Sequence, residues 1–389
     1  MAVQQLKLPN GNYMNAHTSQ LRDLGQSVWL DNIHRQLLTS GTLQCYIVDL
    51  NVSGLTSNPS IFEHSIGSGT SYDASILQLY KDGLAGQELF FALALEDLTQ
   101  AAQLLRPIFD ASDGVDGWVS LEVSPLLAHD MLNTVRAATH LHNHAALPNL
   151  YIKIPGTPAG ILAIEQAIFD GIPVNVTLLF SREQYLAAAN AYLRGMERRQ
   201  LAGLHLHIQS VASVFVSRWD VAVKEEISPE FHNRLGIAVA VQCYQAYCEL
   251  LLSERWQRLV AAGARPQRLL WASTGTKDAK ASDTMYVEAL VAANTINTIP
   301  EKTLLAFADH GKVVGVLPAD GGYANSVVEE FRREGVDIEA LAARLQDEGV
   351  MAFTTSWNEL MSVINEKSKQ ADIPSNTMHT VPQTARNLP

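Results

Sequence analysis

Eight short apolar segments, most of them followed by a helical stretch and several closing on a polar or charged residue, constrain this chain more than any other feature of it. They lie near residues 27, 53, 118, 150, 173, 208, 268 and 294. This βα alternation is what an eight-stranded α/β barrel, the (β/α)8 TIM barrel, requires, and that fold carries its chemistry at the carboxyl ends of its strands. A doubly wound open sheet is the alternative architecture, but no Gly-x-Gly-x-x-Gly opens a helix here.

The fourth segment, Leu150-Tyr-Ile-Lys-Ile-Pro-Gly-Thr157, sets a lone lysine in an apolar run. Strands covered on both faces read as near-continuous apolar stretches. An ammonium drawn out of water there finds partners or gives up its proton, which makes Lys153 a candidate amine nucleophile. The alternative is a lysine that snorkels from a strand end or guards a sheet edge. Other segments end in the same way. Asp31 closes the first and is equally suited to cap the helix expected over 33–38. Asn58 closes the second, ahead of a proline, as a turn residue or a substrate-binding amide. Glu122 stands near the end of the third, and Asn175 and Thr177 share one face of the fifth. Ser213, Phe215 and Arg218 close the sixth; Ser273 and Lys277 follow the seventh, where barrels of this kind often hold phosphate.

With 389 residues, 47% of them hydrophobic and 17% charged, the chain can bury a large core. Its 28 basic against 40 acidic residues, a formal charge of -12, argue against a nucleic-acid partner. Cys45, Cys243 and Cys248 form no metal-ligand spacing and read as reduced, buried thiols. Neither a signal peptide nor an apolar run of membrane-spanning length is visible, so a cytoplasmic protein without a membrane partner is expected, and the glycosylation matches at Asn51 and Asn175 carry no meaning. His140 and His144 share a helix face, and His205 and His207 lie two apart on an expected strand. Neither pair has the acidic or cysteine partners of a metal site. Gly156 to Gly160 lacks the Lys-Ser/Thr that completes a phosphate loop.

Helical periodicity is expected over 20–25, 72–80, 87–106, 131–145, 160–170 and 181–194, and over 227–259 with a break near Gly236. Beyond 300, a linker with a short helix spans 302–320. Helices over 324–335, 338–348 and 357–369 are expected on the outside of the barrel. The division expected is an arm over 1–19, one barrel domain with C-terminal helices over 20–370, and a mobile tail over 371–389.

The motifs Ser27-Val-Trp-Leu-Asp-Asn-Ile33, Thr56-Ser-Asn-Pro-Ser-Ile-Phe62, Val119-Ser-Leu-Glu-Val-Ser-Pro125, Tyr151-Ile-Lys-Ile-Pro-Gly-Thr157, Asn175-Val-Thr-Leu-Leu-Phe-Ser181, Ser213-Val-Phe-Val-Ser-Arg-Trp-Asp220 and Trp271-Ala-Ser-Thr-Gly-Thr-Lys277 follow one another in this order. Together they resemble the transaldolase family in its longer bacterial form, from about Leu21 to Lys367. The resemblance implies a (β/α)8 barrel that moves a three-carbon unit between sugar phosphates without metal or organic cofactor. It implies Lys153 as Schiff-base amine, Asp31 as acid/base, and Glu122 with Thr177 as proton shuttle. Asn58 and Asn175 would hold substrate hydroxyls or the Schiff base, with Ser213 and Phe215 also in the substrate site. Arg218 would hold the phosphate, with Ser273 and Lys277 nearby; shorter members carry an arginine close to where this chain has Lys277. A simple aldolase and a silent sugar-phosphate-binding barrel are the rival readings, and oligomeric state is left unassigned.

Overall fold

The computed structural model describes residues 14–370. The expected arm falls outside that range up to residue 13, and the expected tail falls outside it entirely. Inside the range, the first helix is Ala16–Asp23, capped by the Asn15 side chain, which accepts from the amides of His17 and Thr18.

The strands are β1 (Gln26–Asp31), β2 (Val52–Thr56), β3 (Val119–Glu122), β4 (Leu150–Pro155), β5 (Val174–Leu179), β6 (Ser210–Phe215), β7 (Arg268–Ala272) and β8 (Thr295–Ile299). They pair in parallel in the order β2-β1-β8-β7-β6-β5-β4-β3. A parallel bridge from Gly54 to Trp118 closes the ring, with the Leu55 amide donating to the Trp118 carbonyl at 2.9 Å. Every residue of β3 to β8 is buried. Barrel side chains fill one face of these strands and helices cover the other, which explains why residues on both faces are buried.

The amino-terminal half of the barrel is packed with large rings. Trp118 stacks on Tyr151 at 4.1 Å, and Trp29 lies 6.2 Å from the same tyrosine. Trp29 Nε1 donates to Asp116 at 2.6 Å, Ser27 donates to the other Asp116 oxygen, and Arg268 donates to Ser27 and to the Thr295 carbonyl. The indole has its space because position 54 is glycine: a Cβ there would fall 2.5 Å from the Trp29 ring.

Several expectations are corrected. The helix expected to stop at Arg106 runs from Gly86 to Ala111, through Pro107, and Phe109 in its last turn packs edge-on against Trp118 at 5.1 Å. His205 and His207 are not on a strand, since β6 begins at Ser210. Two carbonyls of that approach are taken by side chains, His205 by Arg199 and Ile208 by Tyr192. The stretch over 227–259 breaks just before Gly236, at 232–234, between the 3-10 turn Pro229–Phe231 and the helix Leu235–Leu252, and again at Ser253, ahead of the helix Glu254–Ala261. Buried Asp220 accepts the first amides, Leu235 and Gly236, and Ser253 caps the second helix. Pro229–Leu252 does have the length and apolar composition to cross a membrane, contrary to the sequence reading. That character goes into the barrel instead, where Val239, Cys243, Tyr244 and Tyr247 are buried. Of the three free cysteines Cys243 is buried, Cys248 half-buried and Cys45 exposed, so the expected burial fails for Cys45. Past β8, Glu301–His310 is a helix.

The largest correction concerns the C-terminus. The two helices expected over 338–348 and 357–369 are one, Ile338–Gln370, packed on the helix Pro59–Gly67 and on β5 as well as on the outer layer. Gly349 and the threonines that follow lower intrinsic helix propensity, but the apolar face that runs through them is buried, and packing overrides propensity.

Gly54→Ala should lose roughly 1–3 kcal/mol in urea unfolding, because the Trp29 ring, fixed by Asp116 and Tyr151, has no room to yield. Gly315→Ala, where a Cβ meets nothing within 4 Å, is the control and should stay within about 0.5 kcal/mol of the parent.

Candidate active site

The carboxyl ends of the strands carry the polar residues, and β4 carries the central one. Lys153 is 4% exposed, so it neither snorkels nor lies at an edge. It has found partners: its ammonium donates to the Ser57 carbonyl at 3.1 Å and lies 3.2 Å from Glu122 Oε2. Strand register explains the pairing, since Glu122 on β3 and Asn175 on β5 are the direct neighbours of Lys153. Asn175 is fixed in turn, donating to Ser120 Oγ at 3.2 Å and accepting from Ser213 Oγ at 2.7 Å. The Lys153–Glu122 contact is a close ion pair rather than an aligned hydrogen bond. Both Glu122 carboxylate oxygens and Thr177 Oγ1 are buried without a hydrogen-bond partner in the protein. Glu122 Oε1 and Thr177 Oγ1 thus keep capacity for a substrate hydroxyl or a water.

Above this layer lies a cavity of about 200 Å³, walled by Asp31, Thr56, Asn58, Ser60, Lys153, Thr177, Ser213, Phe215, Arg218, Ser273, Thr298 and Phe353. Asp31 accepts from Thr56 Oγ1 at 3.1 Å, and Thr56 is bonded to Thr298 at 2.6 Å. Asp31 is not the helix cap; His34 is, accepting the Leu37 amide through Nδ1. Asn58 accepts the Ile61 amide as the cap of the helix Pro59–Gly67 and also lines the cavity.

Burial raises the pKa of Asp31, opposed by the charge of Lys153, by the Thr56 hydrogen bond and by Lys277. Glu122 is also raised, again chiefly by burial, with Lys153 opposing and Asp31 adding like-charge repulsion. Burial lowers the pKa of Arg218, with Glu348 opposing. Its guanidinium lies 5.3 Å from the Phe215 ring, and among the described residues no carboxylate comes within ion-pairing distance of it. A half-buried cation with no ion-pair partner in contact, lining a cavity, is suited to an anionic group of a ligand.

Two residues at strand ends adopt left-handed backbone, Leu178 with φ 58° and Ser273 with φ 56°. Such conformations cost about 1–3 kcal/mol for residues with a side chain and gather at functional sites. At Leu178 the β5–β6 register shifts, which turns the chain just past Thr177. At Ser273 the chain is held by Ser217, whose amide donates to the Ser273 carbonyl and whose hydroxyl bonds the Ser273 hydroxyl at 2.9 Å.

The structure thus brings Lys153, Asp31, Glu122, Thr177, Asn58, Asn175, Ser213, Phe215, Arg218 and Ser273 together. Lys277 is exposed on the loop after β7, beside Gly275, and is not a wall of the cavity, although its charge reaches Asp31. Sequence reasoning missed Ser57, which acts through its carbonyl, and Thr56, Ser60 and Thr298, which lie near strand ends. It also missed Phe353, nearly two hundred residues from β4 in a segment with no distinguishing pattern. Among the described residues no three His, Cys, Asp or Glu side chains gather as a metal site. A larger cavity of about 850 Å³ lies at the opposite, amino-terminal end of the strands. Its arginines are already engaged, Arg22 by Asn51, Arg265 by Asp113 and Arg268 by Ser27 and backbone carbonyls. It is remote from Lys153, so the chemistry is assigned to the smaller cavity.

Comparison with known proteins agrees with this geometry. The sequence model of the Transaldolase/Fructose-6-phosphate aldolase family matches residues 28–364. The chain is 44% identical over 355 residues to the transaldolase of Thiobacillus denitrificans, which covers 89% of this chain and 99% of that one. It is 44% identical over 364 residues to the transaldolase of Thermobifida fusca, covering 91% and 99%, and 39% identical over 373 residues to transaldolase 2 of Nostoc punctiforme, covering 91% and 98%. With a lysine and two carboxylates enclosed in a (β/α)8 barrel and matches that span nearly the whole chain, the protein belongs to the transaldolase/fructose-6-phosphate aldolase family.

Proposed function

We propose that the protein is a transaldolase that carries a three-carbon dihydroxyacetone unit from a ketose phosphate to an aldose phosphate through a Schiff base on Lys153. The donor and acceptor are sedoheptulose 7-phosphate and glyceraldehyde 3-phosphate, and the products are erythrose 4-phosphate and fructose 6-phosphate. The observation that carries this reading is the buried Lys153 ammonium 3.2 Å from Glu122, on the floor of a cavity whose wall holds Asp31 and Arg218. A cytoplasmic location suits the three free cysteines.

In this mechanism Lys153 passes its proton toward Glu122 and attacks the ketone. The carbinolamine loses water, its hydroxyl being protonated through a water held between Glu122 and Thr177. The iminium is an electron sink. Asp31 takes the proton of the C4 hydroxyl, the C3–C4 bond breaks and the aldose leaves, with the three-carbon enamine retained on Lys153. Asn58 and Asn175 hold the hydroxyls of that fragment, and Arg218 with Ser273 holds the phosphate of the leaving or arriving aldose. The enamine attacks the new aldehyde, Asp31 returns the proton, and hydrolysis frees the ketose and the amine. A carboxyl with a raised pKa suits Asp31 and Glu122, because each has to both accept and give a proton within one turnover. Aldol cleavage without transfer is the second reading, favoured by the family's joint description.

Borohydride reduction with fructose 6-phosphate should leave a three-carbon adduct on the Lys153 peptide, and Lys153→Ala should leave none; an adduct elsewhere, or none on a protein that still binds the sugar, rejects the reading. Free dihydroxyacetone as the main product with erythrose 4-phosphate present would favour the aldolase.

Asp31→Asn should lower kcat by roughly 10²- to 10⁴-fold. Its melting temperature at pH 7 should hold or rise. A carboxyl whose folded-state pKa is raised destabilises the fold above that pKa and ceases to do so below its unfolded value, so the amide removes a penalty present at neutral pH. A fall in melting temperature would contradict this sign. Arg218→Ala should raise KM for fructose 6-phosphate by roughly ten- to a hundredfold, the loss of about 1.5–3 kcal/mol of charged hydrogen bonding, and leave unphosphorylated fructose little affected; equal losses for both sugars would remove Arg218 as the phosphate ligand.

A further inference from the structure

The helix Ile338–Gln370 presents one face to the site. Gln346, Gly349, Phe353 and Ser356 recur at intervals of three and four, the spacing of a single helix face. Gln346 is buried and donates to two carbonyls, Gly156 at 3.1 Å and Leu178 at 2.8 Å. Those carbonyls lie just past Lys153 on β4 and Thr177 on β5, and one of them belongs to the residue with left-handed backbone. At Gly349 the helix comes so close that a Cβ would fall 2.8 Å from Leu178 and 3.3 Å from the Arg218 guanidinium. Ser356 is hydrogen-bonded to Ser60, a wall residue of the cavity. Between these attachments stands Phe353, 4% exposed, a wall of the catalytic cavity with its ring centre 5.7 Å from Lys153 Nζ.

We propose that Phe353 is a specificity-determining residue: it closes the catalytic cavity above Lys153 and makes the bound three-carbon enamine react with an aldehyde rather than with water. This deepens the transaldolase reading and rests on it. The enamine has two fates. Its nucleophilic carbon can form a new C–C bond to an acceptor aldehyde, whose oxygen takes a proton. It can instead take a proton on that carbon, after which water adds to the resulting iminium, the C–N bond breaks, and dihydroxyacetone leaves with Lys153 regenerated. The second path takes up the water released on imine formation and needs no other reactant. The step that separates it from transfer is delivery of a proton to the nucleophilic carbon, since hydrolysis of an iminium ends both paths. An apolar ring over the Lys153 nitrogen donates no proton, and closure of an active site protects a reactive intermediate by keeping bulk water, the other proton source, away from it. An aromatic face within about 6 Å of the nitrogen also favours the cationic iminium, so the ring suits the covalent state as well as shielding it. No polar group on Phe353 competes for the sugar. Its partners Gln346, Gly349 and Ser356 fix where the ring stands.

Phe353→Ala and Phe353→Leu are compared with the parent by two measurements: transfer from fructose 6-phosphate to erythrose 4-phosphate, and dihydroxyacetone released from fructose 6-phosphate with no acceptor. Phe353→Ala should raise the ratio of release to transfer by roughly tenfold, the change that about 1.4 kcal/mol in relative barriers produces. Phe353→Leu, which keeps an apolar cover, should stay within about threefold of the parent, and it carries the comparison on Gln346→Met if the alanine variant does not fold: loosening the helix attachment should then raise the ratio. A release-to-transfer ratio that matches the parent in every folded variant overturns the proposal and assigns Phe353 to packing alone. A parent protein that forms no borohydride-trapped adduct overturns the transaldolase reading itself, and this proposal with it.

Discussion

A lysine ammonium and a glutamate carboxylate 3.2 Å apart, each 4% exposed, are the constraint around which the barrel is organised. Neither charge is tolerated alone in that position, since removing one partner of a buried pair leaves the other uncompensated. The pair is nevertheless under-satisfied: burial raises the pKa of Glu122, and its oxygens find no hydrogen bond in the protein. A purely structural ion pair would be surrounded by donors and acceptors. Here the pair lies at the floor of a cavity that Lys153 lines, and the charges are held by strand register rather than by flexible contacts.

The two halves of the barrel divide the work of stability and chemistry. Below Lys153 the interior is filled by Trp29, Trp118 and Tyr151, with Asp116 and Arg268 taking up the polar ends. Above it the interior is polar and open, with Asp31, Thr56 and Thr298 bonded in a row and Asn175 held between Ser120 and Ser213. The dense lower half gives the upper strand ends a rigid base. That rigidity lets left-handed residues persist at Leu178 and Ser273, where the chain must turn out of the sheet and still aim neighbouring side chains inward.

The carboxyl-terminal helix alters the usual picture of a barrel whose site is made by its βα loops alone. Gln346 answers the Leu178 carbonyl at the register shift after Thr177, and Gly349 lets the helix rest directly on Leu178 and Arg218. The cavity therefore has a wall contributed by an element outside the (β/α)8 repeat. A deletion or distortion of that helix would reach Arg218 and Lys153 together.

Much of this was written in local sequence. Strand positions followed from apolar runs, and most polar residues of the cavity stood out in or just past one, because a parallel barrel places all its strand ends on the same rim. Lys153 was conspicuous because ammonium groups and buried strands exclude one another in the absence of a partner. Local sequence did not reveal which partner answered the ammonium, and so did not reveal the Ser57 carbonyl, whose role is independent of its side chain. It left Asp31 poised between capping and chemistry, and in the fold His34 takes the cap while Asp31 lines the cavity. It also suggested a cation at Lys277 whose side chain the loop leaves outside the cavity. Phe353 and Gln346 read as ordinary residues of a peripheral helix, since their meaning depends on contacts with β4 and β5 far away in the chain. What the sequence determined by itself were the periodicities and the chemical types at strand ends, which are local properties. The tertiary structure decided which of those groups share a cavity and what covers it, because strand register and helix docking are set by long-range packing that no single segment encodes.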